Sequence, residues 1–209
     1  MATQDPDNAG WQHDLGVSFN RIGGILEAQG DFAGALAEFC KGLAIRKQLV
    51  TRAPDSAVWQ RGLGVNLIYL GHLYKNLNDP IQSESHLNQA VEIFAKLENP
   101  TQPGSSNDIA IVLALSSESA MAMNNFDQAK NFDRDLMRVA WTPAVALEGT
   151  FRCRFLPNLL ERLDIAYDHC APDLKADLLE RCIQVCRAAP HIDAAPWYAR
   201  RQQMASPCE

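Results

Sequence analysis

The chain has 209 residues, 47% of them apolar and 21% charged, with a formal net charge of −6. That balance belongs to a folded globular protein rather than a disordered one, and its acidic sign argues against nucleic acid or an anionic membrane surface as the main partner. No apolar run reaches the roughly 18 residues of a membrane span, and the opening MATQDPDNAG lacks the basic cluster and apolar stretch of a signal peptide. The six cysteines (Cys40, Cys153, Cys170, Cys182, Cys186 and Cys208) are irregularly spaced. They read as reduced thiols, which places the expected compartment in the cytoplasm.

Helix signals dominate, and strand signals are nearly absent. From Trp11 the apolar positions Leu15, Phe19, Ile22 and Leu26 recur at three- and four-residue steps, one face of a helix that Gly30-Asp31 ends. Phe32, Ala35, Leu36, Phe39, Leu43 and Leu49 mark a second helix, closed by Ala53-Pro54. A third runs through Trp59, Leu63, Leu67, Leu70, Leu73 and Tyr74 to the turn Asn78-Asp79-Pro80, where Pro opens the next helix. His86, Leu87, Ala90, Val91, Phe94 and Leu97 follow, and Asn99-Pro100 with Pro103-Gly104 break the pattern. A further pair is expected near 106–124 and 126–141. Beyond Trp141-Thr142-Pro143 helical periodicity continues, predicting helices near 145–168 and 172–188 and a short one from about Pro196.

These helices come in copies. Residues 6–23, PDNAGWQHDLGVSFNRIG, lie over residues 54–71, PDSAVWQRGLGVNLIYLG, with a constant offset of 48 and nine of 18 positions identical. The turn at Asn124-Asn125-Phe126 repeats Gly30-Asp31-Phe32 at an offset of 94, which is 46 from the second copy. A period of this length means stacked helical units, each unable to bury its apolar face alone. Such an array usually offers a surface rather than a reaction centre. The expected architecture is therefore an all-α solenoid of helical hairpins. It has three pairs over 6–141 (6–53, 54–101 and 102–141), then a degenerate pair and a C-terminal cap over 142–209.

Ile22-Gly23, Leu26, Gly30-Asp31-Phe32, Ala35 and Phe39, with Leu70-Gly71, Tyr74, Asn78-Asp79, Ser83, Leu87 and Ala90 in the second copy, resemble the tetratricopeptide repeat. In that pattern Gly23 and Gly71 mark a close helix crossing, Ala35 and Ser83 the facing wall, and Phe39 and Leu87 the space between neighbouring units. The period exceeds the ~34 residues usual for the family. It is similar to the long-helix variety found in kinesin light chains, and to bacterial arrays carrying a P-x-N-x-x-W-Q-x-D-L-x-V-S phrase, here Pro6 to Ser18. Because the chain opens almost on that phrase, it reads as a fragment of a longer array.

The resemblance implies protein or peptide binding in a concave groove lined by the first helix of each pair, with no catalytic residue and no cofactor. Carried over, the groove positions are Val17, Asn20, Gly24 and Glu27, then Val65, Ile68, His72 and Lys75, then Ile111, Ala114, Glu118 and Met121. Tyr69 joins Asn20, His72 and Lys75 as a polar reader. The clamp with which some family members hold a terminal carboxylate is missing, since Gly24 and Tyr69 stand where it needs amide side chains.

Chemical motifs give way to plainer readings. Cys182 and Cys186 share a helix face near His169, Cys170 and His191, but their spacing matches no zinc pattern and they sit in an apolar stripe. Ser116-Ser117-Glu118-Ser119 lacks a nucleophile elbow and reads as small residues at a helix crossing. Trp11 and Trp59 recur together, which assigns them to packing, and Trp197 to Arg201 reads as a cap. Nothing assembles a nucleophile, base and oxyanion donor. The preferred function is a non-enzymatic adaptor that binds a protein segment without nucleic acid or membrane, with self-association through the solenoid ends open to it. The rival is a regulatory or sensor fragment of a larger signalling protein whose ligand is a neighbouring domain.

Overall fold

The computed structural model describes residues 8–97, 105–138, 160, 162–163, 175–176, 179–180, 182–183 and 195–205. Among them every regular element is a helix. In chain order these are α1 (Ala9–Ala28), α2 (Phe32–Arg52), α3 (Ala57–Asn76), α4 (Pro80–Leu97), α5 (Ser105–Ala122) and α6 (Phe126–Arg138), with a further helix at Ala195–Ala205. The chain divides into two compact units, Met1–Leu97 with Ser119–Asn125, and Glu98–Glu118 with Phe126–Glu209.

Each helix starts and stops for local reasons that recur with the repeat. The Asn8 side chain caps α1 by accepting from the Trp11 amide at 3.1 Å, and Ser56 caps α3 through the Trp59 amide at 3.5 Å. Asp31 and Asp79 do the same for α2 and α4, accepting from Gly34 and Gln82. The turns within the pairs are one construction used three times. Gly30, Asn78 and Asn124 sit at φ of 81°, 58° and 57°, the left-handed conformation that ends a helix. The next residue's amide then donates back five positions: Asp31 to Leu26, Asp79 to Tyr74 and Asn125 to Ala120, each at 2.9 Å. The offsets of 48 and 46 in the sequence are thus offsets between identical turns.

Within a pair, glycine sets the approach. A Cβ at Gly23 would lie 2.5 Å from the Phe39 ring, and one at Gly71 would lie 2.6 Å from Leu87, so both crossings exist only because the side chain is absent. Phe39 and Leu87 therefore pack first against the glycine of their own pair, not only between units as the pattern predicts. Phe39 does both, since its ring also lies 5.2 Å from that of Tyr69 on α3. The buried seam of α2 is Ala35, Phe39, Gly42, Arg46 and Leu49, and that of α4 is Ser83, Leu87, Ala90 and Phe94. Position for position these match at the repeat offset, with Arg46 opposite Phe94.

In the second unit, Asp108 to Ser117 of α5 are all buried. The Ser117 hydroxyl donates to the Ala129 carbonyl at 3.2 Å, and the Ser119 hydroxyl, in the first unit, donates to that of Pro80 at 3.3 Å. These serines serve helix packing. Arg162 grips Asp133 through Nη2 at 2.6 Å and Nε at 3.3 Å. Leu160, Leu163, Leu179, Cys182, Ile183 and Trp197 are buried, and the Arg200 guanidinium lies 5.4 Å over the Trp197 ring. Cys186, His169, Cys170, His191, Trp141 and most of the predicted helices over 145–168 and 172–188 lie outside the described residues.

Candidate functional site

The seam where α3 packs against the first pair gathers most of the polar side chains that the sequence assigned to a groove. Along α1 it presents Gly16, Asn20, Gly24 and Glu27, and along α3 Gly62, Asn66, Tyr69 and His72. These steps of three and four residues keep one helix face in line. Three polar clusters follow one another down this line.

At one end, Glu27 is buried, and its Oε1 accepts from His72 Nδ1 at 2.8 Å and from Asn76 Nδ2 at 2.7 Å. In the middle, Asn66 is fully buried, and its Nδ2 donates to Asn20 Oδ1 at 2.5 Å and to the Phe39 carbonyl at 3.3 Å. This pair ties α1, α2 and α3 together. Hydrogen-bonded polar groups in a core specify register as well as holding it, because any slip leaves them unpaired.

At the other end lies Arg46, 3% exposed, reaching from α2 to the start of α1 and α3. A Cβ on Gly16 would sit 3.5 Å from Cζ and Nε and 3.6 Å from Nη2, so the glycine backbone lies under the guanidinium face. A Cβ on Gly62 would collide with Nη1, so the second glycine makes room for the edge. Nε is sealed from solvent without a hydrogen-bond partner, as is Nδ1 of the neighbouring His13. The His13 ring in turn lies 5.3 Å from that of Trp59, the repeated tryptophan. Burial pulls the Arg46 pKa down to about 10, with Tyr69 pushing against that shift and Arg61 adding to it. The group stays charged at neutral pH. Burial also lowers the His13 pKa, and Arg46 is the next cause.

Residues 69–96 match the tetratricopeptide repeat. This chain carries a tetratricopeptide repeat. The match runs from Tyr69 through the turn at Asn78 to Lys96, so it covers the last turns of α3 and all of α4 but its final residue. The α1/α2 hairpin is the copy of this tetratricopeptide repeat that lies 48 residues upstream. No curated protein and no solved structure matches the chain. A tetratricopeptide repeat is a protein-interaction fold, not an enzyme fold. None of the described helices is long and apolar enough to cross a membrane.

The groove positions divide by exposure. Asn20, Gly24, Glu27, Ile68 and Tyr69 are buried, Ile68 completely, and join the helices to one another. Val17 on α1, with Val65, His72 and Lys75 on α3, is half-buried. On α5, Ile111 and Ala114 are buried, Glu118 is half-buried and Met121 is exposed. Arg46 escaped the sequence reading because it is charged and sits on the second helix of its pair. The signal was available: position 46 continues the seam of Phe39 and Gly42, and its counterpart in the repeat is the core residue Phe94.

Proposed function

We propose that this chain is a non-enzymatic adaptor whose tetratricopeptide repeats bind a segment of another protein along the first helices of the pairs. The observation that carries the reading is the match over α3 and α4, since the protein-interaction role of the repeat comes with it. On this reading Val17 and Val65 supply apolar contact, and His72 and Lys75 supply polar recognition. Val17 and the rim of α3 remain partly open while the residues beside them lock the helices, so the surface is preorganised and little ordering entropy is lost on binding. The 48-residue period fits the long-helix variety of the repeat.

The test compares the wild-type chain with Val65→Glu/Lys75→Glu, both immobilised and both checked for equal helicity, as baits in native lysate. His72 is kept, because its bond to Glu27 makes it structural as well. A protein held by the wild type and released by the double variant supports the groove. Identical capture by both excludes it. Capture of nothing by a helical wild-type chain turns the reading towards an intramolecular sensor.

A further inference from the structure

The tetratricopeptide hairpins place an arginine and a phenylalanine at one repeat position. Phe94 is 2% exposed and packs on Gly64, whose Cβ would come within 2.8 Å of its ring. Arg46 occupies the same place over Gly16, the counterpart of Gly64. The fold therefore has an apolar solution for this position and does not use it in the first pair. A buried charge without a counterion is costly, and an apolar residue of similar size is commonly more stable there.

No counterion comes from the described residues. Arg46 makes neither a hydrogen bond nor an ion pair with them, and its Nε is unpartnered. Asp14 is exposed. Glu27 is engaged by His72 and Asn76, eleven residues beyond Gly16, about 16 Å along α1. The charges around it are mixed: Arg46 lowers the proton affinity of His13, Asp14 raises it, and Arg61 lowers that of both His13 and Arg46. Two buried, unpartnered polar atoms, Arg46 Nε and His13 Nδ1, thus share one place.

We propose that the slot formed by Gly16, Gly62 and the Arg46 guanidinium binds a carboxylate, presented as an aspartate or glutamate side chain by the segment that the groove receives. The proposal rests on the adaptor reading above for the source of that side chain. Gly16 lies under one face of the guanidinium and Gly62 against Nη1, so on this proposal the seated segment opens the Nε–Nη2 edge, sealed from solvent in the free chain, and a flat carboxylate meets that edge with two oxygens. His13 stands one turn before Val17 on α1, and Arg61 one turn before Val65 on α3. The slot thus continues the stripes on which the groove is proposed.

The test titrates the full chain with a capped oligoglutamate peptide, its oligoglutamine counterpart, and inorganic phosphate, at matched ionic strength. Calorimetry gives affinity, and the Arg46 Nε–H resonance gives location. Saturable binding of the glutamate peptide alone, moving that resonance and weakened about tenfold or more in Arg46→Met, is the expected result. Unliganded Arg46→Met should also melt higher than the wild type and gain nothing from the peptide. If Arg46→Met fails to fold, Gly62→Ala, which pushes Nη1 aside and keeps the charge, should show the same loss. Equal binding of both peptides, or of wild type and variant, overturns the proposal, as does saturation by phosphate without binding of the glutamate peptide. The lysate comparison is independent. Peptide binding without partner capture sinks the adaptor reading and leaves the slot, whereas partner capture equal in Arg46→Met sinks the slot and leaves the adaptor.

Discussion

Replacing Gly23 by alanine tests the closest helix crossing in the first pair. The new Cβ would lie 2.5 Å from Cε1 and 2.7 Å from Cδ1 of Phe39. Phe39 is fully buried and the Tyr69 ring backs it at 5.2 Å, so it has no room to step aside without shifting α3. Overpacking of this kind costs about 1–3 kcal/mol, and the better helix propensity of alanine returns about 1 kcal/mol. The net loss is then about 1 kcal/mol, reaching about 2 kcal/mol if Phe39 cannot relax at all. Gly16→Ala is the matched control: it is in the same helix and equally buried, but its Cβ meets Arg46 only at ordinary contact distance, 3.5 Å. It should be neutral or gain up to about 1 kcal/mol. Urea titrations followed by circular dichroism give both values. In a Phe39→Val background, where the ring is gone, Gly23→Ala should change sign and stabilise. If Gly23→Ala is neutral in the wild type, or costs the same in both backgrounds, glycine is not there for the crossing and the packing argument fails.

Three further outcomes are expected. Asn78 holds a left-handed φ of 58°, so Asn78→Gly should raise the unfolding free energy from urea titration by a few tenths to about 1 kcal/mol, while Gly30→Ala should lose about 1 kcal/mol. Asn66→Ala removes the donor to Asn20 in a buried seam and should cost about 1–3 kcal/mol; adding Asn20→Ala should then cost little, and a full second penalty would show that the two amides are not coupled. Burial lowers the pKa of both His13 and His86 below 6.5, assisted by Arg46 for the first and Lys47 for the second. Below about pH 6.5 the unfolded chain takes up protons that the folded chain refuses, so stability should be flat above that pH and fall as pH drops through it. Urea midpoints at neutral and mildly acid pH measure the slope, and His13→Gln/His86→Gln should flatten it.

The all-α hairpin array, its repeat offset and the positions of its turns were legible because they rest on local rules. Gly30, Asn78 and Asn124 each close a helix through bonds that reach five residues, and Asn8, Ser56, Asp31 and Asp79 cap helices through bonds that reach three. A pattern within one helical turn survives in the linear chain, and repetition makes it visible twice. The repeat pattern marked Gly23 as a close crossing, but it put Phe39 between units, and the structure places that ring against Gly23 as well. What the chain alone did not decide was which face of α3 is open. That helix packs against its own partner α4 and against the preceding pair, so both apolar and polar positions around it become interior. Asn20 and Asn66 look like surface readers when met singly, and so do Glu27 and His72. Asn20, Asn66 and Glu27 are core residues and His72 is half-buried beside them, because each finds its complement 46 or 45 positions away. Arg46 is the sharpest case. The repeat register marks it as out of place beside Phe94, but its slot needs Gly62, a residue contributed by the next pair, whose counterpart in the first pair is Asp14. Pairings of that range depend on how one hairpin stacks on another, and only the tertiary structure supplies that.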